Sequence, residues 1–476
     1  MNRPYLPLLA ALAAAALGAC AGLPPQPTAT ASATPAPSQW QAPLPHNGQL
    51  TDLTGWWQQF DDPLLPQLIA AAQAVSFTLA TAQARIAQAR ATRVSAGAAL
   101  GPTLNASASA SRGRPDLSVL LGTSASAGLQ AAWEFDLFGG NAAGRDAAEA
   151  RLAGAQATGH DARVSVAAEV AATYTSLRAC EAQLAQAQLD ATSRGETSRL
   201  TELAAKAGFQ PPASAALARA SAAQGSSLVT QQRAQCDLAV KSLVALTGLA
   251  EPALRSQLAA GSARLPQPAQ IAINSVPAQA LSQRPDLFAA GRELLAASAD
   301  VSQSQAQRYP RIALNGSIGA ARFSSGAGTL DGTVWSLGPL SVSLPLFDGG
   351  VRSANVSAAR AHHAEASANY SARLRTAVRE VEEALIALQS TGARNSDAQV
   401  ATEGFAASYR ATDARYKGGL ASLFELEDAR RSALQAQSAL IELQRERVAA
   451  WISLYRALGG GWAADAPATA MATTPP

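Results

Sequence analysis

The chain has 476 residues, with 37 basic against 34 acidic side chains spread along its length, four histidines and three cysteines. So even a balance excludes the concentrated basic stripe that a nucleic-acid partner requires. No Cys-x-x-Cys or Cys/His cluster, Gly-rich phosphate loop, His-Glu-x-x-His or Gly-x-Ser-x-Gly elbow occurs, so neither a metal, a cofactor nor a catalytic framework is expected.

Residues 1–19 read as a secretory signal: one charge at Arg3, then an apolar Leu/Ala stretch to Leu17, too short to span a bilayer as a helix. It ends in Leu17-Gly18-Ala19-Cys20, which resembles a bacterial lipobox, where cleavage precedes the cysteine and its thiol and new amine are acylated. Two acyl signals anchor a protein stably. Residues 20–50 are then a lipidated tether, rich in Pro, Ala, Thr and Ser, and residues 459–476 are a tail of similar composition.

The folded part repeats itself, which decides its division into domains. Leu79 answers to Leu287 and Pro102 to Pro310, each 208 apart; Phe138 answers to Phe347 at 209, and Gly208 to Gly418 at 210. Two units follow, residues 51–250 and 251–458. Each opens with an Ala/Gln/Arg-rich helix, residues 78–99 and 286–308, stopped by a proline. Two strands come next, within about 103–138 and 311–347. One apolar face carries Leu104, Ala106, Ala108 and Ala110, then Leu129, Ala131, Trp133, Phe135 and Leu137; the second unit repeats it with Ile312, Leu314, Gly316 and Ile318, then Leu340, Val342, Leu344 and Leu346. Period two over about ten residues marks a sheet with one greasy face, and is also the signature of a membrane barrel strand. Trp133, Trp335 and Phe323 are candidates for an interfacial aromatic belt or for core; Trp56, Trp57 and Trp462 read as packing residues.

Proline-free stretches, about 142–207 and 351–417, then predict helices of roughly 100 Å each. Each turns back through glycine into a second long helix, so residues 141–247 and 350–458 read as antiparallel hairpins. Cys180 and Cys236 lie 28 residues before and after Gly208, at one height in such a hairpin, and are a candidate disulfide in an exported protein. His362 and His363 are adjacent on a helix, pointing about 100° apart, and cannot chelate one metal. The charged stretch from Arg379 to Glu383 reads as a solvated helix face.

No mature segment offers 18 consecutive apolar residues, so a membrane would be crossed by a barrel, and four strands fall short of the eight or so that the smallest barrels need. Several copies must share one barrel, and the hairpins would assemble alongside into a tube. A non-conducting periplasmic coiled-coil lipoprotein is the competing reading, which the paired alternating strands disfavour.

The chain resembles the TolC-like outer-membrane factor family, in its lipidated NodT-type branch. The resemblance rests on Trp57-Gln-Gln-Phe60-Asp-Asp-Pro-Leu64, Arg284-Pro-Asp-Leu287, Tyr309-Pro310, Pro345-Leu-Phe347, Arg415-Tyr-Lys-Gly418 and Leu454-Tyr-Arg-Ala-Leu-Gly-Gly-Gly-Trp462. It implies a homotrimer in the outer membrane, with a shared twelve-stranded β-barrel on a twelve-helix periplasmic tube and a mixed belt between. It also implies docking to a periplasmic adaptor and an inner-membrane transporter, for efflux of small toxic molecules or, alternatively, type I protein secretion. By the same resemblance Asp413 is the acidic residue of the periplasmic aperture, where a ring of carboxylates favours cations. Gly208, Phe209, Gly418, Gly419 and Leu420 are the tips that meet the adaptor. Gly208-Phe-Gln-Pro-Pro212 departs from the family's small polar residues at the first tip.

Overall fold

The computed structural model describes residues 41, 53–114, 121–268, 281 and 283–462. The signal, Cys20, most of the tether and the tail beyond Trp462 lie outside the described residues. In chain order the elements are α1 (Leu64–Val75), α2 (Phe77–Ala98), β1 (Thr103–Gly113), β2 (Gly122–Phe135), α3 (Gly140–Lys206), α4 (Pro212–Thr247), α5 (Glu251–Ala259), α6 (Pro285–Ala306), β3 (Arg311–Ser325), β4 (Gly328–Ser343), α7 (Val351–Lys417) and α8 (Leu423–Ala457). Among the described residues no single helix is long and apolar enough to cross a membrane. Two compact units emerge.

The first unit holds residues 85–156 and 289–371. Its centre is an antiparallel sheet of order β1-β2-β3-β4, so β1 and β4 are open edges. Register keeps the two faces apart. Ala106 pairs with Leu129, Leu129 with Ile318 and Ile318 with Trp335, while Trp133 pairs with Leu314 and Leu314 with Leu340. From Ile312 to Ala320 this face is apolar over nine residues, eight steps or about 26 Å along the strand. The next row on the same face is polar, Arg322 opposite Asp331. The opposite face carries hydroxyl pairs: Ser109 with Ser126 at 2.9 Å, Ser111 with Ser124 at 2.8 Å and Ser317 with Ser336 at 2.9 Å. Gly128 opposes Gly319 on that face, and a methyl group on either would come within 2.7 Å and 2.5 Å of the partner strand's carbonyl oxygens.

The structure departs from the sequence pattern at the strand ends and at Phe323. Strand alternation reads on through Leu137 and Phe138, but β2 stops at Phe135. The Asp136 carboxylate accepts from the backbone N–H groups of Asn141 (3.1 Å) and Ala142 (2.7 Å), so it caps the first turn of α3 and ends the strand. Asp348 does the same for α7 through Gly350 and Arg352, and Pro345, lacking an N–H, cannot extend β4 to Leu346. Phe323 leaves the aromatic belt: it pairs with Ser124 and Leu330, on the face opposite Trp133 and Trp335.

The second unit holds the described residues within 41–84, 157–288 and 372–462. Its core gathers Trp56, Trp57, Phe60, Leu65 and Leu68 against Val170, Tyr174, Leu243, Leu385, Trp451 and Tyr455. Each large apolar side chain so buried contributes about 1.5–3 kcal/mol. Two arginines are buried with it. Arg178, 1% exposed, donates to the Tyr174 hydroxyl (3.0 Å), Glu181 (2.8 Å) and the Leu258 carbonyl (2.9 Å). Arg284 donates to Asp286 (2.7 Å), Glu380 (2.8 Å) and the Ala457 carbonyl (3.0 Å), joining the start of α6 to α7 and the end of α8. Burial pushes the Asp286 carboxyl up, but Arg284 outweighs it and holds the carboxyl below its usual range. Trp462 packs edge-on against Phe288.

Candidate functional site at the hairpin tips

Both tips are built the same way. At the end of α3, Phe209 N–H donates to the Ala204 carbonyl (2.8 Å) and Gly208 N–H to Ala205 (3.1 Å). At the end of α7, Leu420 N–H donates to Arg415 (2.8 Å) and Gly419 N–H to Tyr416 (3.0 Å). This pair of bonds closes a helix through a left-handed residue. Gly208 (φ 82°) and Gly419 (φ 70°) fill that position, so the equivalent of Gly208 is Gly419 rather than Gly418, an offset of 211. The return helices begin differently. Pro212 opens α4 at a position where its missing N–H costs nothing. Ser422 caps α8 with Glu425 reaching back, a reciprocal capping box. Phe209, Leu420 and Phe424 are left 83%, 73% and 73% exposed at these ends.

Asp413, one turn before the second tip, accepts from Lys417 Nζ at 2.7 Å. The pair raises the lysine above its usual value, chiefly through that hydrogen bond. Asp413 is therefore charge-compensated within its own helix.

Just beyond the tips a polar cluster ties four helices together. Arg430 on α8, 2% exposed, donates to Thr197 (3.0 Å) and Ser193 (3.2 Å) on α3 and to Tyr409 (3.4 Å) on α7, and pairs with Glu427. Arg194 on α3 donates to Asp190 (2.6 Å), Ser221 of α4 (2.7 Å) and Glu427 (3.3 Å). Thr201 and Tyr416 share a hydroxyl bond of 2.8 Å. Burial pulls the Arg430 guanidinium down, but Tyr409 and the neighbouring carboxylates outweigh it and raise its pKa. The Asp190 Oδ1, 3.8 Å from Arg430, has no hydrogen bond. Sequence reading passed over this cluster. Its signal was there: hydroxyls at Ser193, Thr197 and Thr201, four apart, line one face of α3, and Tyr409 and Tyr416, seven apart, line one face of α7.

Further up the first hairpin, Cys180 and Cys236 are joined by a disulfide, with Sγ atoms 2.13 Å and Cα atoms 5.6 Å apart. Gln232 on α4 donates to Gln183 on α3 beside it, at 3.1 Å. No group of three or more metal-ligating side chains occurs among the described residues.

Comparison with known proteins places this geometry. A family model described as outer membrane efflux protein matches residues 68–249 and 276–460. The chain is 32% identical over 454 residues to the pyoverdine export outer membrane protein OpmQ of Pseudomonas putida, covering 90% of this chain and 93% of that one. It is 30% identical over 490 residues to the solvent efflux pump outer membrane protein SrpC of Pseudomonas putida, covering 97% and 99%. The solved outer-membrane channel OprN superposes with a TM-score of 0.80 at 28% identity, over 90% of this chain and 98% of that one.

Proposed function

We propose, because this chain belongs to the outer membrane efflux protein family and is the outer-membrane exit duct of an efflux pump, that three copies of it close one barrel. Each copy gives four strands to a twelve-stranded barrel and four long helices to a periplasmic tube. The observation that carries this is the four-stranded sheet with β1 and β4 as open edges and an apolar face running about 26 Å along the strands. Unpaired strand edges are not tolerated in lipid, and four strands cannot close on themselves. With barrel strands tilted by about 40°, that length rises roughly 20 Å, most of the apolar band of roughly 25 Å on outer-membrane barrels.

On this reading Cys20 carries the lipid anchor and the chain is two structural repeats, supported by the two separate segments matched by the family model. Phe209, Leu420 and the tip glycines meet a periplasmic adaptor, which links the duct to an inner-membrane transporter. The transporter supplies energy and chooses the substrate; no catalytic step is assigned to the duct. The names of the relatives, a pyoverdine exporter and a solvent pump, favour small organic molecules as cargo. Asp413 stands at the closed mouth.

Single-channel recording of the purified lipoprotein in a planar bilayer tests the duct, together with mass measurement of the detergent-solubilised particle. Discrete pores from a three-copy particle are expected. Absence of conductance, including in a variant with both tips trimmed, would overturn it.

A further inference from the structure

The first unit contains one complete join between its two repeats, and it serves as a template for a join that the chain leaves open. Where β2 passes into α3, the Phe138 ring stacks on Tyr309 with centroids 4.8 Å apart and planes 11° from parallel. Tyr309 precedes Pro310 at the start of β3, the strand paired to β2. Alongside, α3 packs on α6: Arg151 pairs with Asp300 and Glu293, and Gly140 and Gly144 lie against Ala306 and Gln303.

The second repeat carries the same parts without the neighbour. Where β4 passes into α7, Phe347 stands in the place of Phe138, and it is 93% exposed, with Leu346 90% exposed beside it. By the offset of 208 that maps Pro310 onto Pro102, the place of Tyr309–Pro310 is taken by Gly101–Pro102 at the start of β1. A side chain at Gly101 would meet only its own helix, at 3.7 Å. The flank of α2 equivalent to the covered flank of α6 is bare: Arg85, Thr92, Ser95 and Ala98 are exposed where Glu293, Asp300, Gln303 and Ala306 are half-buried. Thus, among the described residues, β4 ends in an apolar pair with nothing to cover it, and β1 begins beside an uncovered shelf. A head-to-tail contact of this kind closes a ring when the rotation allows.

We infer that Phe347 and Leu346 of one copy seat on the Gly101–Pro102 shelf of the next copy, repeating the Phe138–Tyr309 join across the seam. The occupant is a second copy of this chain, and the inference rests on the three-copy reading above. Because glycine replaces tyrosine, the Phe347 ring lies over a flat shelf instead of a second ring. The flank of α7 then covers the bare flank of α2.

The test co-expresses two single variants carrying different tags, Phe347→Cys and Gly101→Cys, in membranes treated with a mild thiol oxidant or a short bis-maleimide. The expected result is a denaturant-resistant band bearing both tags, absent when Phe138→Cys replaces Phe347→Cys and absent from either variant alone. Intact three-copy particles without that band would overturn the contact and leave the trimer standing. A bimane attached to the new thiol of the Phe347→Cys variant and quenched by brominated lipid in those particles would likewise overturn it, placing that position in the bilayer. Absence of any multimer would overturn both the contact and the reading it rests on.

Discussion

The Tyr409 hydroxyl on α7 lies 2.8 Å from the Ser193 hydroxyl on α3, a hydrogen bond between residues 216 apart in sequence. Arg430 donates to both, so one buried guanidinium holds the two hairpins to each other. Its removal leaves Arg194 alone to face both Asp190 and Glu427 and strips the hydroxyls of their donor, a loss of up to about 3–5 kcal/mol, the range for breaking a buried pair. Tyr409→Phe deletes the hydroxyl that bonds Ser193 and accepts from Arg430, about 1–2 kcal/mol, and leaves the buried cation in place. Arg430→Met should therefore speed amide exchange across the last turns of α3 and α7 far more than Tyr409→Phe does. Equal exchange in the two variants would show that the cluster does not carry the coupling.

Asp413 and Lys417 form a pair, which sharpens what a mouth residue should do. With both present the local charge cancels. Lys417→Ala should increase cation preference in single-channel reversal potentials by baring the carboxylate, whereas Asp413→Ala should shift preference toward anions. If both variants conduct with wild-type selectivity, Asp413 is not at the constriction.

The facing glycines Gly128 and Gly319 leave no room for a side chain between β2 and β3. Gly128→Val or Gly319→Val should abolish recovery of the heat-resistant assembled form from outer membranes. Gly332→Ala on β4, where a methyl group meets open space, should leave it unchanged. Normal assembly of both valine variants would mean that the sheet yields at this point.

The Cys180–Cys236 bond joins residues 56 apart in sequence. In the chain-entropy account such a loop is worth about 4 kcal/mol, and removal of native disulfides commonly costs about 2–5 kcal/mol. The double Cys180→Ser, Cys236→Ser variant should unfold at lower denaturant by that margin. Alkylation before and after reduction checks the premise, since both thiols should react only after reduction.

His160 is exposed, and partial desolvation, followed by the charge of Arg163, holds its imidazole below its ordinary pKa. A depressed folded pKa means that the unfolded chain binds the proton more readily. The stability it contributes is complete above the unfolded value of about 6.5 and is lost as pH falls toward the folded value. Thermal unfolding at pH 7.5 and pH 5.5 should differ more in the wild type than in His160→Gln. Identical pH slopes would remove His160 from the account.

Much of this architecture was legible because its signals are long-range and redundant. Alternation over ten residues survives the odd small residue, and Pro102 and Pro310 stop helices wherever they stand. Ends were less legible. Leu137 and Leu346 keep the strand parity, yet the carboxylates of Asp136 and Asp348 turn the chain into helix before those positions, and a cap outranks a pattern. Phe323 was misjudged from residue type alone, although its odd number beside Ile318 already places it on the polar face. The Arg430 cluster escaped because serine and threonine every fourth residue look like any solvated helix until the facing tyrosines are brought to them.

The β2–β3 join has a further consequence on the three-copy reading. A ring of six strand-pair units would have six seams, and six separate bodies would each surrender translational and rotational freedom to form it. Duplication within one chain makes half of those seams intramolecular, with an effective concentration set by the linker between repeats rather than by how many molecules the membrane holds. Only three bodies then have to meet, so the ring can form at low copy number, and the cost of ordering falls on the remaining seams. Those seams are free to diverge from their internal counterparts, as a phenylalanine over glycine already differs from one over tyrosine.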